Sequence, residues 1–406
     1  MRIKAFQACR PPADRAARVA SPPYDVVDTA EARRQAEGNP DCFFHVSRAE
    51  IDLPDGTDLH DDLVYRTAAA NYTAFRDRGT LLDDADPGLY LYRLTWGAHT
   101  QTGLVAACHV DDYNHNVIRK HEKTRQAPED DRTRHLLALG AHTGPVLLAY
   151  RDQPAIDRLV DEEGRAEPLY DVAAPDGIRH TIWKARNAAA LERLFAAVPA
   201  AYIADGHHRA AAAARVARER HAAGGAGDGE ADWFLAVLFP AGRLKILPYN
   251  RCVRDLHGLA PDAFLRKVEE QFEVTPAAHA VPEHPGRVHL FLGDRWLRLS
   301  WPSAAMEDPV ASLDVSVLQD RLLGPVLGID DPRKNPRIEF VGGIHGTKEL
   351  EARVRSGRAA VAFSLYPTTV EQLMAVADRG LTMPPKSTWF EPKLRDGLVI
   401  HPLDAF

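Results

Sequence analysis

The sequence predicts a mixed α/β protein, in which short apolar strands alternate with helices. Two observations carry this prediction. The run Gly88–Trp96 is apolar and rich in β-forming residues, whereas Leu59–Arg78 repeats its apolar residues at helical spacing. Alternation of the two patterns along the chain is typical of a sheet covered by helices. With 406 residues, of which 45% are hydrophobic and 26% charged, the chain resembles an ordinary globular protein with a substantial core.

The individual elements follow from the same periodicities, from capping residues and from turn residues. Helices are expected at Ala30–Ala36, Leu59–Arg78, Asp130–Ala138, Asn187–Ala197, directly after His208, at Pro261–Gln271, and from a capping box at Thr368–Glu371 to near Gly380. Strands are expected at Met1–Phe6, Gly88–Trp96, Thr102–Asp112, Pro145–Tyr150, Tyr202–Ala204, Trp233–Phe239, Val288–Leu292, Trp296–Leu299 and Ala359–Leu365. We expect no regular structure over Met383–Leu394, which contains three prolines.

The domain organisation is less well defined by the sequence. The segment Gly224–Gly229 consists almost entirely of small residues, so it is either a linker or a long loop between a helix and the strand at Trp233, and we favour the loop. We expect an N-terminal α/β region over residues 1–225 and a C-terminal α/β region over residues 226–406 that completes the site. A single domain is the alternative.

Composition excludes several classes of function. The net charge of −7 argues against a broad nucleic-acid surface, although one local cluster of cations would suffice for a small phosphorylated ligand. No stretch approaches the about 20 apolar residues of a membrane span, and the first residues predict a strand and no signal peptide. The scattered cysteines indicate a cytoplasmic protein with reduced thiols and no cysteine-based zinc site; they are Cys9, Cys42, Cys108 and Cys252.

The five residues from Asp205 to Arg209 (Asp-Gly-His-His-Arg, here the DGHHR box) form the most informative motif. A strand that enters a polar turn, with a helix directly after it, directs backbone N–H groups, imidazoles and a guanidinium to one spot that suits phosphate. Arg209 offers a bidentate donor, and Gly206 permits close backbone approach. Asp205 would repel an anion, so we expect it to bind Mg²⁺ or to orient a histidine. The alternative is that Asp205 only caps the helix.

The two histidines of the box are adjacent. On a helix, the side chains of His207 and His208 diverge by about 100°, so they cannot chelate one metal ion as a pair four residues apart does. Zinc binding is therefore the weaker interpretation. They remain suitable as hydrogen-bond donors to an anion, because one imidazole can reach a phosphate while the other orients a neighbour.

Two further segments carry charged groups. In His121-Glu122-Lys123-Thr124, which Asp130, Asp131 and Arg132 follow, Glu122 is a candidate general base and Lys123 a candidate phosphate contact. The alternative is a solvated loop. Lys386-Ser387-Thr388 resembles the end of a P-loop, but prolines replace the required glycines. Lys386 and Lys393 remain candidate phosphate contacts, and a proline-rich surface strap is the alternative there.

A fourth segment, Ser21-Pro22-Pro23-Tyr24-Asp25, predicts a rigid turn that lines a pocket at most. These four motifs, in the same order, resemble those of a bacterial and archaeal family catalogued as a numbered domain of unknown function, over about residues 3 to 402. The DGHHR box also resembles the signature of free-serine kinases of the ParB/sulfiredoxin superfamily, which implies a ParB/sulfiredoxin-like core around the box with further α/β elements.

The resemblance implies a kinase that converts free L-serine, or a similar hydroxylated metabolite, to O-phospho-L-serine with ATP, ADP or pyrophosphate as donor and Mg²⁺ as cofactor. His207, His208, Arg209 and Gly206 would hold the phosphates, with Lys123, Lys386, Ser387 and Thr388 as further contacts. Glu122 would be the base and Asp205 the magnesium ligand.

The chain departs from the family where Ala210 replaces the usual aromatic residue after the box. A catalytically silent nucleotide- or phosphate-binding regulator on the same scaffold is the alternative function. The expected partners are a small-molecule substrate and a phosphate donor, with neither nucleic acid nor membrane, and a homodimer is left open.

Overall fold

The computed structural model describes residues 1–224, 229–302 and 308–403. It confirms the mixed α/β class, and no described helix is long and apolar enough to cross a membrane. The α-helices of the described part are α1 (Ala16–Val19), α2 (Thr29–Ala36), α3 (Phe44–Ser47), α4 (Asp62–Asp77), α5 (Val110–Asn114), α6 (Gln126–Leu139), α7 (Pro154–Glu163), α8 (Ala188–Ala196), α9 (His207–Ala222), α10 (Pro261–Glu269), α11 (Asp314–Leu318), α12 (Gly346–Arg355) and α13 (Val370–Asp378).

The strands are mostly short, and the predicted ones are present with shifted ends. They are β1 (Ile3–Lys4), β2 (Cys9–Arg10), β3 (Leu82–Asp83), β4 (Tyr90–Trp96), β5 (His99–His109), β6 (Ile118–Arg119), β7 (Ala141–His142), β8 (Val146–Tyr150), β9 (Tyr170–Ala173), β10 (Ile178–Lys184), β11 (Ala201–Asp205), β12 (Trp233–Pro240), β13 (Lys245–Leu247), β14 (Tyr249–Val253), β15 (Glu273–Pro276), β16 (Arg287–Leu292), β17 (Arg295–Ser300), β18 (Ile338–Gly342), β19 (Val361–Leu365), β20 (Trp389–Glu391) and β21 (His401–Pro402).

The chain divides into two compact units, the first formed by Met1–Leu244 with Pro392–Phe406 and the second by Lys245–Glu391. The boundary thus falls after Leu244 and not at residue 225. The physical reason is that β12, which follows the glycine-rich segment, pairs with both β5 and β8 in the sheet of the first unit. Residues 225–228 of that segment lie outside the described residues, but both of its flanks belong to the first unit.

The first unit contains a mixed sheet with the strand order β6-β11-β8-β12-β5-β4-β10-β9 in the described part of the chain, and β1 pairs with β5. Two pairs are parallel, β11 with β6 and β12 with β8, and the others are antiparallel. All residues of β8 and β12 are buried, which explains why their sequences are continuous apolar runs without alternation. The DGHHR box therefore leaves the sheet next to its most buried strands.

The alanine-rich run that follows the box packs α9 against this sheet. Ala210, Ala213 and Ala214 are almost completely buried in the same core cluster as residues of β8, β11 and β12. Small side chains let a helix approach a sheet closely, and an aromatic residue at position 210 would need volume that this core does not offer. Ala210 is thus part of the close packing of α9 against the sheet.

The second unit contains an antiparallel sheet with the strand order β15-β17-β16-β19-β14-β18. A separate ribbon pairs β13 with β20. The core of the second unit lies between the six-stranded sheet and α12, and Phe291, Leu350 and Ala362 are buried there.

Three expectations about local structure are wrong in detail. The strand predicted to reach Asp112 ends at His109, because the imidazole of His109 accepts a hydrogen bond from the N–H of Asp111 (3.1 Å) and so caps α5. The capping box of α13 uses Thr369 with Gln372, since the Thr368 hydroxyl donates to the carbonyl of Ser387 (2.9 Å).

The third correction concerns the proline-rich segment, which is not irregular throughout. Trp389–Glu391 forms β20, paired with Lys245–Leu247. The prolines lie outside this short strand, at 384, 385 and 392, so none of them removes a hydrogen bond from it.

Candidate functional site

The DGHHR box forms the predicted strand, turn and helix. The strand β11 ends at Asp205, Gly206 stands at the N-cap position with φ 97°, and α9 begins at His207. The cap residue makes no side-chain hydrogen bond to the helix, so the alternative in which Asp205 caps α9 is wrong. The first backbone N–H groups of a 16-residue helix consequently lie beside the polar side chains of the box, as an anion site requires.

Asp205 is instead the partner of two cations. Its Oδ2 accepts from Nη2 of Arg209 at 2.7 Å, and its Oδ1 accepts from Nζ of Lys393 at 3.2 Å. Burial alone would raise the pKa of this carboxyl group, but Lys393 and Arg209 hold it well below the usual range. Asp205 is therefore ionised and orients an arginine, where the sequence suggested a histidine.

Arg209 is held by two hydrogen bonds, one from each of its terminal nitrogens. Nη1 donates to the carbonyl of Pro145, Nη2 donates to Asp205, and Nε has no hydrogen-bond partner although it is buried. Burial would lower the pKa of the guanidinium, yet the nearby carboxylates of Asp205, Asp25 and Asp396 raise it. Arg209 therefore has one N–H group that could donate a hydrogen bond to an anion at this helix N-terminus.

His207 points into the protein and meets a second histidine. Its ring lies edge-on to that of His121, with 4.5 Å between the ring centroids. Nε2 of His207 and Nδ1 of His121 are both buried without a hydrogen-bond partner. Burial lowers the pKa of His121 to about 4 and that of His207 well below its usual value, so both rings are neutral at pH 7. Neutral imidazoles can still donate one N–H each to a phosphate oxygen.

His208 points toward the loop between β6 and α6. Its Nε2 accepts a hydrogen bond from the backbone N–H of Arg125 (3.1 Å), and burial followed by the charge of Arg125 lowers its pKa. The two histidines of the box thus diverge as helix geometry predicts. His208 fixes the loop that carries His121, Glu122 and Lys123.

Glu122 and Lys123 lie on that loop with exposed side chains, whereas their neighbour His121 is buried. The structure thus places them in the same unit as the box. Lys386, Ser387 and Thr388 belong to the second unit, where the Ser387 hydroxyl donates to the carbonyl of Pro384 (2.6 Å). Lys386 has φ 57°, and its Nζ lies 5.4 Å from the centre of the Tyr249 ring.

Several residues around Arg209 had little or no signal as site residues in the sequence. A cavity of about 40 Å³ is lined by residues of the first unit, including Tyr24, Arg132, His142 and Asp396. The rigid Ser21–Asp25 turn was the one signal for Tyr24, and Arg132 was noted only for its charge. Asp396 had no signal, because it reaches the cavity through tertiary structure: its backbone pairs with that of Ser21.

The surroundings of Asp205 do not fit a magnesium ligand. Mg²⁺ needs oxygen ligands in near-octahedral geometry, but both oxygens of Asp205 already pair with cationic side chains. Within residues 1–224, 229–302 and 308–403, no group of three or more His, Cys, Asp or Glu side chains could hold a metal ion. The interpretation of Asp205 as a resident metal ligand is thus not supported by the residues around it.

We expect Gly206→Ala to damage the site through Arg209. An added Cβ would lie 3.0 Å from Nε and Cζ of Arg209, in a backbone conformation that alanine rarely adopts. The free energy of unfolding should fall by about 1 to 3 kcal/mol in urea titrations, and calorimetric affinity for pyrophosphate should fall at least tenfold. Gly56→Ala is the control, because it also has a positive φ but nothing within 4 Å. Equal pyrophosphate affinity in Gly206→Ala and Gly56→Ala would contradict the expectation that Arg209 contacts the bound anion.

Fold and site together define a mixed α/β protein in which a strand-to-helix turn places an arginine and two histidines at a helix N-terminus. The chain belongs to the family described as "Protein of unknown function (DUF1015)", whose model matches residues 3–316. The expected membership of a family of unknown function is thereby confirmed. No curated protein matches the chain.

Three solved structures are similar at low identity. A free serine kinase variant in complex with AMP is 14% identical with a TM-score of 0.36, over 72% of this chain and 92% of that one. A conserved hypothetical protein from Pyrococcus furiosus is 15% identical with a TM-score of 0.37, over 74% and 97%. SbnI from Staphylococcus aureus, truncated at its C-terminus, is 12% identical with a TM-score of 0.40, over 72% and 85%. None of these similarities identifies a substrate of this chain.

Proposed function

We propose that this protein is a small-molecule kinase that phosphorylates free L-serine, or a similar hydroxylated metabolite, with ATP, ADP or pyrophosphate as donor. The observation that supports it most directly is the DGHHR box at the N-terminus of α9. There, neutral His207 and cationic Arg209 each keep a buried nitrogen atom without a partner. Unsatisfied buried polar groups are rare in folded proteins, and a bound phosphate that hydrogen-bonds to both would explain them here.

The residues of the box suit phosphoryl transfer, in which positioning and neutralisation of charge dominate. His207, His208, Arg209 and the first N–H groups of α9 would hold the donor phosphates. Asp205 would keep Arg209 in place through its 2.7 Å contact. Mg²⁺ would enter with the phosphates of the donor, since the residues around Asp205 do not form a magnesium site.

The acceptor hydroxyl needs a base. Glu122 would take the proton from the serine Oγ as the new O–P bond forms and the bond from phosphorus to the leaving oxygen breaks. The nucleotide or phosphate leaves with that oxygen. Lys123, on the same loop, would neutralise charge on the phosphates. Lys386, Ser387 and Thr388 remain predicted phosphate contacts of the second unit.

Purified protein with Mg²⁺, L-serine and each donor in turn is expected to yield O-phosphoserine, detected by mass spectrometry and ³¹P NMR. Glu122→Gln should lower turnover at least 100-fold, a typical contribution of a general base, while donor affinity stays within about threefold. Glu37→Gln, at an exposed position, is the control. Failure of all donors across a panel of hydroxylated acceptors would refute the kinase. A donor that binds without turnover would favour the regulator instead. Full activity of Glu122→Gln would refute only the assignment of the base.

A further inference from the structure

The cavity beside Arg209 is built from distant parts of the first unit. Tyr24 comes from the rigid turn after the first strands, Ser47 from α3, Arg132 from α6, and Asp396 from the C-terminal segment. His142, Thr143 and Gly144 complete its wall on the way from β7 to β8. The cavity has room for several water-sized groups and is lined by both charged and polar side chains.

Three polar atoms on this wall lack hydrogen-bond partners. They are Oγ of Ser47, Nε2 of His142 and Nε of Arg209, and each is buried. Ser47 is 4% exposed and has no other visible reason to present a hydroxyl at this position. An unpaired buried polar group destabilises the fold, so three of them around one cavity indicate a polar occupant.

The positive side of the cavity is formed by two arginines. Arg132 lies with its guanidinium 3.8 Å from the centre of the Tyr24 ring, and Asp131 holds its Nε at 2.8 Å. Arg209 is held by Asp205 through Nη2 at 2.7 Å, which leaves its Nε without a partner. Each arginine thus has its own carboxylate behind it, which fixes the planar group so that its remaining N–H donors are available to a carboxylate or phosphate ligand.

Asp396 adds a carboxyl group that neither arginine needs for its pairing. It is 2% exposed, and a Cβ on Gly144 would lie 2.8 Å from its Oδ1, so no side chain separates it from that wall. Burial raises the pKa of Asp396 to about 7, against the lowering effects of Arg209 and Arg132 and the backbone N–H of Tyr24, while Asp25 raises it further. A site built only for an anion would not contain this carboxyl group.

We propose that this cavity is the acceptor subsite, and that it binds a small α-amino acid with its carboxylate between Arg132 and Arg209 and its ammonium group at Asp396. Ser47 and His142 would then hydrogen-bond the remaining polar atoms of the ligand. The assignment rests on the proposed kinase function for the role of acceptor, but the binding site itself does not require turnover. It locates amino-acid recognition on residues outside the DGHHR box, apart from Arg209, which the donor and acceptor subsites would share.

Binding of L-serine without donor, measured by calorimetry, tests the subsite. Asp396→Asn is expected to weaken binding at least tenfold, while Asp14→Asn, a fully exposed control, leaves it unchanged. Wild-type protein should also bind 3-hydroxypropionate, which lacks the ammonium group, at least tenfold more weakly than serine. In Asp396→Asn this difference should vanish, an energetic coupling that a purely structural role would not produce. Equal differences in both proteins would overturn the proposal.

The pH dependence gives a second readout. Because the ammonium group needs the ionised carboxylate, serine affinity should fall as pH decreases from 8 to 6 in wild type and stay constant in Asp396→Asn. Ser47→Ala should weaken serine binding threefold or more with no loss of thermal stability, since its hydroxyl has no partner in the fold. Affinities that are flat with pH in wild type, or unchanged in Ser47→Ala, would count against the subsite.

The outcomes separate this proposal from the kinase. Serine binding that depends on Asp396 in a protein that makes no phosphoserine would retain the subsite and refute the kinase. Phosphoserine formation with an unchanged KM for serine in Asp396→Asn would retain the kinase and refute the subsite.

Discussion

Arg209→Met is expected to produce the largest loss in this protein, with no measurable phosphoserine formation and a free energy of unfolding lower by about 3 kcal/mol. The side chain is 10% exposed, contacts Asp205 at 2.7 Å and donates to the carbonyl of Pro145. Methionine fills a similar volume but carries no charge. Of the two cations that contact Asp205, Lys393 alone then remains. Urea denaturation followed by circular dichroism measures the change.

Lys393→Met is the matched variant for this prediction. It removes the longer of the two contacts of Asp205, at 3.2 Å, and should therefore destabilise the protein less than Arg209→Met does. If the free energy of unfolding falls by less than about 1 kcal/mol in Arg209→Met, the Arg209–Asp205 pair contributes no more than an ordinary surface ion pair. That result would contradict the structural role given to Arg209.

Asp396→Asn is expected to stabilise the protein at pH 8 while it weakens serine binding. In the folded state the pKa of Asp396 is raised to about 7 by burial, whereas an unfolded aspartate titrates near 4. The folded state favours the neutral carboxyl group. Its contribution to the free energy of unfolding is therefore fully present below about pH 4 and is lost as the pH rises through 7. Asparagine keeps the shape and cannot ionise.

The expected gain at pH 8 is on the order of 3 to 4 kcal/mol, because each pKa unit corresponds to about 1.4 kcal/mol. At pH 4 the two proteins should be nearly equally stable. Urea unfolding at pH 4, 6 and 8 measures the difference, with Asp14→Asn as the control at an exposed position. A constant difference across these pH values would show that Asp396 does not titrate in this range. A stabilising change that weakens binding is typical of residues retained for function.

The sequence allowed the central part of the site to be predicted because its geometry is local. An apolar strand, a glycine and an alanine-rich helix follow one another within a few residues, so the order of the elements fixes where the helix N-terminus lies. The same locality explains why His207 and His208 diverge as predicted. The capping box of α13 shows the limit, since Thr368 and Thr369 are equivalent in sequence and only the contact of Thr368 with Ser387 decides between them.

The sequence by itself determined the mixed α/β class, the DGHHR turn and the membership of a family through motifs. Tertiary structure alone decided that Asp205 pairs with Lys393, which lies 188 residues away, and that Asp396 shares a cavity with Tyr24 and Arg132. The physical reason is that ion pairs and burial depend on distances in space. These distances are set when the C-terminal segment pairs with the Ser21 turn, an event that no local pattern of residues encodes.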